Sequence, residues 1–331
     1  MNIRNIQIPH GLCLAPMAGY TDAGLRRVCR LWGAEYMYTE MVSAKAVVYG
    51  DRKTAALARI YGDEGPVAVQ MFGNEEDILA RAAEILSAGV PGYARPVAID
   101  INIGCPVPKV YGNGEGSALM RDPELIRRIV RAVAASTDLP VTVKLRAGID
   151  RAHVNAVECA LAAEDGGAAA VAVHGRTRAE MYAGRADRTV IRDVKAALQI
   201  PVIANGDITS ATEAEDMLRM TGADGLMVAR GAIGNPFVFS EILAAIDNRP
   251  YTPPSPRERM KTALLQLDVS VRDKTDSLAV TESRKQMAAY LTGFRGAATL
   301  RADIHRATCR ADIERILGEA VLLAEEHELQ I

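Results

Sequence analysis

Apolar residues recur along the chain in short, nearly unbroken runs, each ending in glycine or polar residues and followed by a stretch with helical spacing. In order the runs are LCLAPMAG (12–19), YMYTEM (36–41), PVAVQMFG (66–73), PVAIDINIGCP (96–106), PVTVKLRAG (140–148), AAVAVHGR (169–176), IPVIANGD (200–207) and GADGLMVARG (222–231). The stretches between them carry helix signals. Asp122 before Pro123 reads as an N-cap with proline in the first turn, and Ser210 to Glu213 as a capping box. In EEDILARAAEIL (75–86), Ile78, Leu79, Ala82, Ile85 and Leu86 share one helical face.

Eight strand–helix units with strands apolar on both faces predict an α/β fold, a closed (β/α)8 barrel of the TIM type, rather than an open sheet. The open doubly wound alternative lacks its glycine-rich dinucleotide fingerprint, since APMAGYTDAG (15–24) does not match it. The repeat ends near Ile246, and the proline-rich NRPYTPPSPRER (248–259) breaks it. The expected organisation is a barrel over 1–247, a linker over 248–256 and a small all-α domain over 257–331.

Alternation along the strands separates two faces. Ala68, Gln70 and Phe72 share one face, as do Ala98, Asp100 and Asn102; Thr142, Lys144 and Arg146; and Ala172, His174 and Arg176. The opposite faces are apolar and suit the surrounding helices. Gln70, Asn102, Lys144 and His174 are therefore expected inside, near the C-terminal ends of the strands, where such barrels build their sites. Singly, an inward Gln or Asn can bridge barrel layers and a histidine can be a satisfied interior group. Four at one height make a polar, donor-rich floor.

Composition narrows the setting. Of 331 residues, 49% are hydrophobic and 24% charged, with a formal net charge of −2, which argues against a generally nucleic-acid-coating surface but leaves room for a local basic patch. The five cysteines form no CxxC pair, which argues against a zinc site or a disulfide framework and for a reducing compartment. No run has the length of a membrane span and the N-terminus has no signal-peptide core, so a cytoplasmic chain without a membrane partner is expected. Cys13, Cys29, Cys159 and Cys309 are expected as packing residues. Cys105 is different, because it stands on a Gly-Cys-Pro turn at the end of a strand.

The loops ANGDI (204–208) and ARGAIGNP (229–236) follow the last two strands, the frequent phosphate position in these barrels. Their glycines also serve plain tight turns. A donor-rich floor beside a phosphate cradle suits flavin mononucleotide, with Lys144 facing the ring edge that gains negative charge on reduction. A Schiff-base aldolase would also use a barrel lysine, but would leave the cysteine loop unexplained.

Several motifs together resemble the tRNA-dihydrouridine synthases: APMAGYTD (15–22), QMFG (70–73), DINIGCPVPKV (100–110), GSALMRDP (116–123), HGRTR (174–178), IPVIANGDI (200–208), ARGAIGNP (229–236) and RKQMAAYLTGF (284–294). The resemblance covers nearly the whole chain. It implies an FMN-bearing barrel with a C-terminal helical domain that reduces particular uridines in RNA, most of all tRNA, with NADPH as reductant. Pro16, Met17 and Ala18 would line the flavin, and Gln70, Lys144 and His174 would hydrogen-bond its ring and ribityl chain. Asn205, Gly206, Asp207, Ala229 and Arg230 would hold its phosphate end. Asn102 would orient the uracil, and Cys105 would give the proton to C5 as hydride from flavin N5 reaches C6. Lys109, Arg176 and Arg178 are expected at the substrate's phosphates.

Ala229 stands where the family often has glycine, and Gln286 and Ala289 replace a histidine and an aromatic. The latter two lie in the helical domain, so they bear on RNA docking more than on catalysis. Residues 283–310 carry Arg284, Lys285, Arg295, Arg301, Arg306 and Arg310 against Asp303, which points to RNA docking by that domain. No protein partner is implied. A flavin barrel acting on a free pyrimidine, an RNA-binding protein holding FMN only structurally, and dihydrouridine synthesis on ribosomal RNA are the competing readings.

Overall fold

The computed structural model describes residues 1–272, 274–294 and 296–328. Eight parallel strands close on themselves: β1 (Leu12–Leu14), β2 (Tyr36–Tyr38), β3 (Val67–Phe72), β4 (Ala98–Ile103), β5 (Val141–Arg146), β6 (Ala170–His174), β7 (Val202–Asn205) and β8 (Gly225–Val228). β8 pairs with β1 through Leu226↔Leu12 and β2 with β3 through Met37↔Val67, so no barrel edge is left open. The eight strands fall in the eight apolar runs.

Helices follow most strands: α1 (Ala23–Leu31), α2 (Glu76–Ser87), α3 (Pro123–Ala135), α4 (Ala156–Asp165), α5 (Arg188–Ala197), α6 (Ala211–Thr221) and α7 (Val238–Ile246). After β2 the helical layer is broken into two short pieces, Ala44–Val48 and Arg52–Leu57. Asp122 caps α3 as expected. At α6, Ser210 accepts the Glu213 N–H, but the Glu213 carboxylate takes the Thr209 N–H instead of completing the box. On α2 the buried face is rotated from the expected one. Ala83 is buried, while Ile85 is 38% exposed.

The outward strand residues Val69, Met71, Ile99, Ile101, Val143, Leu145, Val171 and Val173 are all buried in the layer between barrel and helices. The inward set is separate: Cys13, Tyr36, Tyr38, Ala68, Ala98, Ala170, Ala172, Ile203 and Met227, closed from below by Ile3 and Ile8. Ile3 belongs to an antiparallel hairpin, Asn2–Ile3 with Ile6–Gln7, that the sequence pattern does not announce. Gln70 pairs in register with Asp100, Asn102 with Lys144, and His174 with Arg146. From Gln70 to His174 the side chains thus climb along successive strands. A climb of about one residue per strand is what a barrel of shear eight requires for groups at one height along its axis.

Residues 248–255 hold no helix or strand, and four helices follow: α8 (Pro256–Ser270), α9 (Asp276–Tyr290), α10 (Ala297–Arg306) and α11 (Arg310–Glu328). Ser255 and Glu258 form the reciprocal capping box that starts α8. The four helices share a core of Leu267, Val280, Met287, Leu300, Ile304 and Leu317, which also takes in Phe237 and Trp32 from the barrel side. Those two rings meet edge to face at 4.6 Å.

This seam corrects one expectation. Gln286 is 2% exposed and accepts a hydrogen bond from Gln266, which in turn accepts the Tyr290 hydroxyl at 2.8 Å. Ala289 packs on Gly234 of the barrel. The two departures thus lie in the packing between barrel and helices, not on a face offered to RNA. Among the described residues, no helix is long and apolar enough to cross a membrane.

Candidate active site

At the C-terminal ends of the strands opens a cavity of about 610 Å³ whose lining includes Gln70, Asn102, Cys105, Lys144, His174, Asn205 and Arg230. That volume suits a cofactor-sized ligand. Pro16, Met17 and Ala18 form part of its wall. Thr21 holds their turn by accepting the Met17 N–H at 3.0 Å and donating to the Ala15 carbonyl at 2.9 Å.

Cys105 is set firmly. Its backbone N–H donates to Asn102 Oδ1 at 2.8 Å, and its carbonyl accepts the Ser117 hydroxyl at 2.8 Å. Cys105 is 8% exposed, and burial pushes its thiol pKa up, against the pull of the Val107 N–H and the charges of Arg146 and Lys144. A raised pKa keeps the proton on sulfur at neutral pH, which suits an acid and not a nucleophile.

Lys144 donates to Asn205 Oδ1 at 3.0 Å, and Asn205 Nδ2 donates to the Met227 carbonyl at 2.7 Å. Burial and the neighbouring Arg146 bring the Lys144 pKa down to about 8. It remains mostly charged at pH 7. His174 is held well below its ordinary pKa by burial and by four surrounding cations, led by Lys144, so it is neutral there. Its Nε2 lies 3.4 Å from Arg176 Nη1, which only donates.

Below this floor sits Asp100, fully buried, accepting from Thr142 Oγ1 at 2.5 Å and Gln70 Nε2 at 2.6 Å. Burial raises its pKa to about 6, the two hydrogen bonds and Lys144 notwithstanding. Between the unfolded and folded pKa values the native state binds the extra proton. This carboxyl therefore adds stability at low pH and loses it as pH rises through about 6. Asp100→Asn does not titrate, so its stability relative to wild type should rise by up to ~3 kcal/mol between pH 4 and pH 8. Urea midpoints of both proteins at pH 4.5, 6 and 8 check this; a difference independent of pH would refute it.

The loops after β7 and β8 close the other end of the cavity. Gly206, at φ +126°, lies where a Cβ would come within 2.6 Å of Ala186 Cβ and 3.0 Å of His174 Cδ2. Asp207 has φ +51° and puts its carboxylate on Arg176 at 2.8 Å and on the Ala186 N–H at 2.8 Å. The same carboxylate lies 3.7 Å from Arg230. Ala229 lines the cavity, and the Arg230 side chain is 52% exposed beside it.

The outer residues are placed less as the sequence pattern implies. Arg176 is 2% exposed and spends its guanidinium on Asp207 and on the carbonyls of Ala183 and Gly184. It braces the loop and is not offered to substrate phosphates. Arg178 lies over the Tyr111 ring at 4.1 Å, and exposed Lys109 lines a separate polar recess with Lys45, Asn74 and Glu115. In the helical region, Arg284 donates to the Ala307 carbonyl, Arg306 pairs with Asp303, and Arg310 pairs with Asp268 and Glu314. Arg295 lies outside the described residues. Much of the local positive charge is therefore taken up, by Asp303 and the Ala307 carbonyl within that window and by Asp268 and Glu314 outside it.

Two cavity residues were not singled out by sequence. Arg146 donates to the carbonyls of Gly104, Thr177 and Met181, and Tyr182, 53% exposed, stands near both Arg146 and Arg230 at the mouth. Strand parity already put Arg146 inside. Tyr182 sits on a loop, where no periodicity points to it.

Fold and cavity define the class as a (β/α)8-barrel enzyme with its site at the C-terminal ends of the strands. The chain belongs to the dihydrouridine synthase family, whose model, "Dihydrouridine synthase (Dus)", matches residues 13–325; the family consists of oxidoreductases. It is 40% identical over 304 residues to "tRNA-dihydrouridine synthase B" of Pseudomonas putida, covering 91% of this chain and 88% of that one. It is 36% identical over 305 residues to "Probable tRNA-dihydrouridine synthase" of Treponema pallidum, with 89% and 88% covered. A solved structure of 6-hydroxypseudooxynicotine amine oxidase from Pseudomonas geniculata shares the fold at a TM-score of 0.57 and 13% identity. The match spans 75% of this chain and 49% of that one.

Proposed function

We propose that this protein reduces the C5–C6 double bond of specific uridines in tRNA to 5,6-dihydrouridine, with FMN in the barrel cavity, NADPH as the source of electrons and Cys105 as the proton donor. The observation that carries the reading is Cys105 itself, a protonated, backbone-anchored thiol on the wall of a cavity floored by Gln70, Asn102 and Lys144.

The residues fit a flavin mononucleotide. A mostly cationic lysine and a neutral histidine suit its ring and ribityl chain, and the Gly206 and Arg230 loops suit its phosphate. When bound and reduced, such a group supplies the hydride that uracil needs at C6. Lys144 offers a positive charge to the ring edge that gains electrons, Asn102 and the cavity wall hold the base flat, and Cys105 delivers a proton to C5. A flipped nucleotide brings the uracil to the barrel mouth. Residues 257–331, a separate helical unit on this reading, carry the rest of the tRNA, and the protein works in the cytoplasm.

Heat-denatured protein should release FMN, identified by chromatography and mass; FAD, or no flavin even after reconstitution, would count against the proposal. Mapping dihydrouridine in tRNA and ribosomal RNA from cells lacking the protein identifies the substrate. Affinity for tRNA should fall steeply with salt. Exposed Lys285 and partly exposed Arg301 are the charges to reverse, since Arg284→Glu would instead lose the contact with Ala307. Lys285→Glu with Arg301→Glu should weaken tRNA binding and lower the salt slope by about two, with flavin content unchanged. An unaltered slope, read by filter binding, would exclude these residues from the interface.

A further inference from the structure

Asp100 has no role in the chemistry above, yet it occupies the base of a continuous hydrogen-bond chain that ends at the acid. We propose that Asp100 is a positioning residue that fixes the donor and acceptor polarity of the site and, through Gln70 and Asn102, the placement of Cys105.

Each atom along this chain has a fixed donor or acceptor role. An ionised carboxylate only accepts. Asp100 Oδ2 therefore takes the Gln70 amide nitrogen at 2.6 Å, which leaves Gln70 Oε1 facing the other way. That oxygen accepts Asn102 Nδ2 at 2.8 Å, and so turns Asn102 Oδ1 toward the backbone N–H groups of Gly104 at 3.1 Å and Cys105 at 2.8 Å. Thr142 Oγ1, at 2.5 Å, occupies the second carboxylate oxygen. Asp100 and Gln70 are 0% and 1% exposed, so water offers them no substitute partner and the Gln70 amide has one satisfied orientation. Without an acceptor at position 100 the Gln70 amide is free to turn over, and the Asn102 amide loses its support from below.

The inference rests on Cys105 as the acid, but one readout does not depend on that assignment. The rate of Cys105 alkylation by iodoacetamide, followed by peptide mass spectrometry at equal flavin content, reports how firmly the turn is held. Asp100→Leu and Gln70→Met should both speed alkylation. Their double variant should be no faster than either alone, because both cut one chain. Asp100→Asn should stay near the wild-type rate, since its Oδ1 can accept from Gln70 while its Nδ2 donates to Thr142. Uridine reduction should follow the same order, with kcat falling ~10²-fold in Asp100→Leu and KM for tRNA unchanged. Wild-type alkylation in Asp100→Leu, an Asp100→Asn as fast as Asp100→Leu, or additive effects in the double variant would each overturn the proposal. Should Asp100→Leu not fold, wild-type alkylation in Gln70→Met overturns it alone. Altered alkylation with normal turnover would instead refute Cys105 as the acid and leave the positioning chain standing.

Discussion

Cys105→Ala is expected to lower the rate of dihydrouridine formation ~10²–10⁴-fold, the range for losing a positioned general acid. On the proposed reading the thiol is the cavity's acid, by placement and by protonation. It lies on the wall beside Asn102 and Lys144, and burial holds its pKa above the ordinary value. The site does not replace it readily, because Lys144 serves the ring edge on this reading and His174 is kept neutral by its cationic neighbours. Reduction of the flavin by NADPH should continue at the wild-type rate, since no thiol proton enters that half-reaction. Stopped-flow absorbance for flavin reduction and mass spectrometry for dihydrouridine separate the two. A variant that makes dihydrouridine normally would remove Cys105 from the mechanism. Half-buried Cys309, on the helical side, should tolerate alanine with both rates intact.

Gly234→Ala is expected to destabilise the protein by ~2–4 kcal/mol, combining left-handed backbone strain with overpacking. Gly234 has φ +67°, and a Cβ there would lie 2.6 Å from both Ala289 Cβ and Tyr290 N. The neighbour is the backbone of α9, which cannot rotate away as a flexible side chain would. The strain falls on the seam held by Trp32, Phe237 and the Gln266–Gln286–Tyr290 group. Gly222→Ala is the control, because Gly222 has φ +65° with open space around it and should cost only ~1–2 kcal/mol. Equal losses in the two variants, measured by urea unfolding, would mean that close packing at the seam adds nothing. The same seam bears on removing the chain from Pro256 onward. That cut would leave Trp32 and Phe237 only each other and strip them of their helical neighbours, so the truncated barrel should lose solubility.

Much of this protein is fixed by local pattern. Eight apolar runs, each followed by a helical stretch, can bury both faces as a parallel sheet under helices, and the closed form of that sheet is the architecture observed. Alternation then decided which side chains face inward, so Gln70, Asn102, Lys144 and His174 could be placed on the cavity floor from strand parity alone. The Gly-Cys-Pro turn and the two glycine loops are likewise local, because turn chemistry depends on adjacent residues.

What escaped the pattern depends on partners distant in sequence. Arg176 looked free because Asp207, its ion-pair partner, is 31 residues away, and Arg310 because Asp268 belongs to another helix. Gln286 and Ala289 looked like departures bearing on RNA docking until folding set them against Gln266 and Gly234. The chain from Asp100 to Cys105 joins β3 and β4 in a fixed register, and no single strand contains it. Backbone periodicity is set by neighbours along the chain, and so the sequence alone determined the barrel, its inward faces and its Gly-Cys-Pro turn. Whether a given charge or amide is spent or free is set by what folding brings within about 3 Å, and only the tertiary structure decided that.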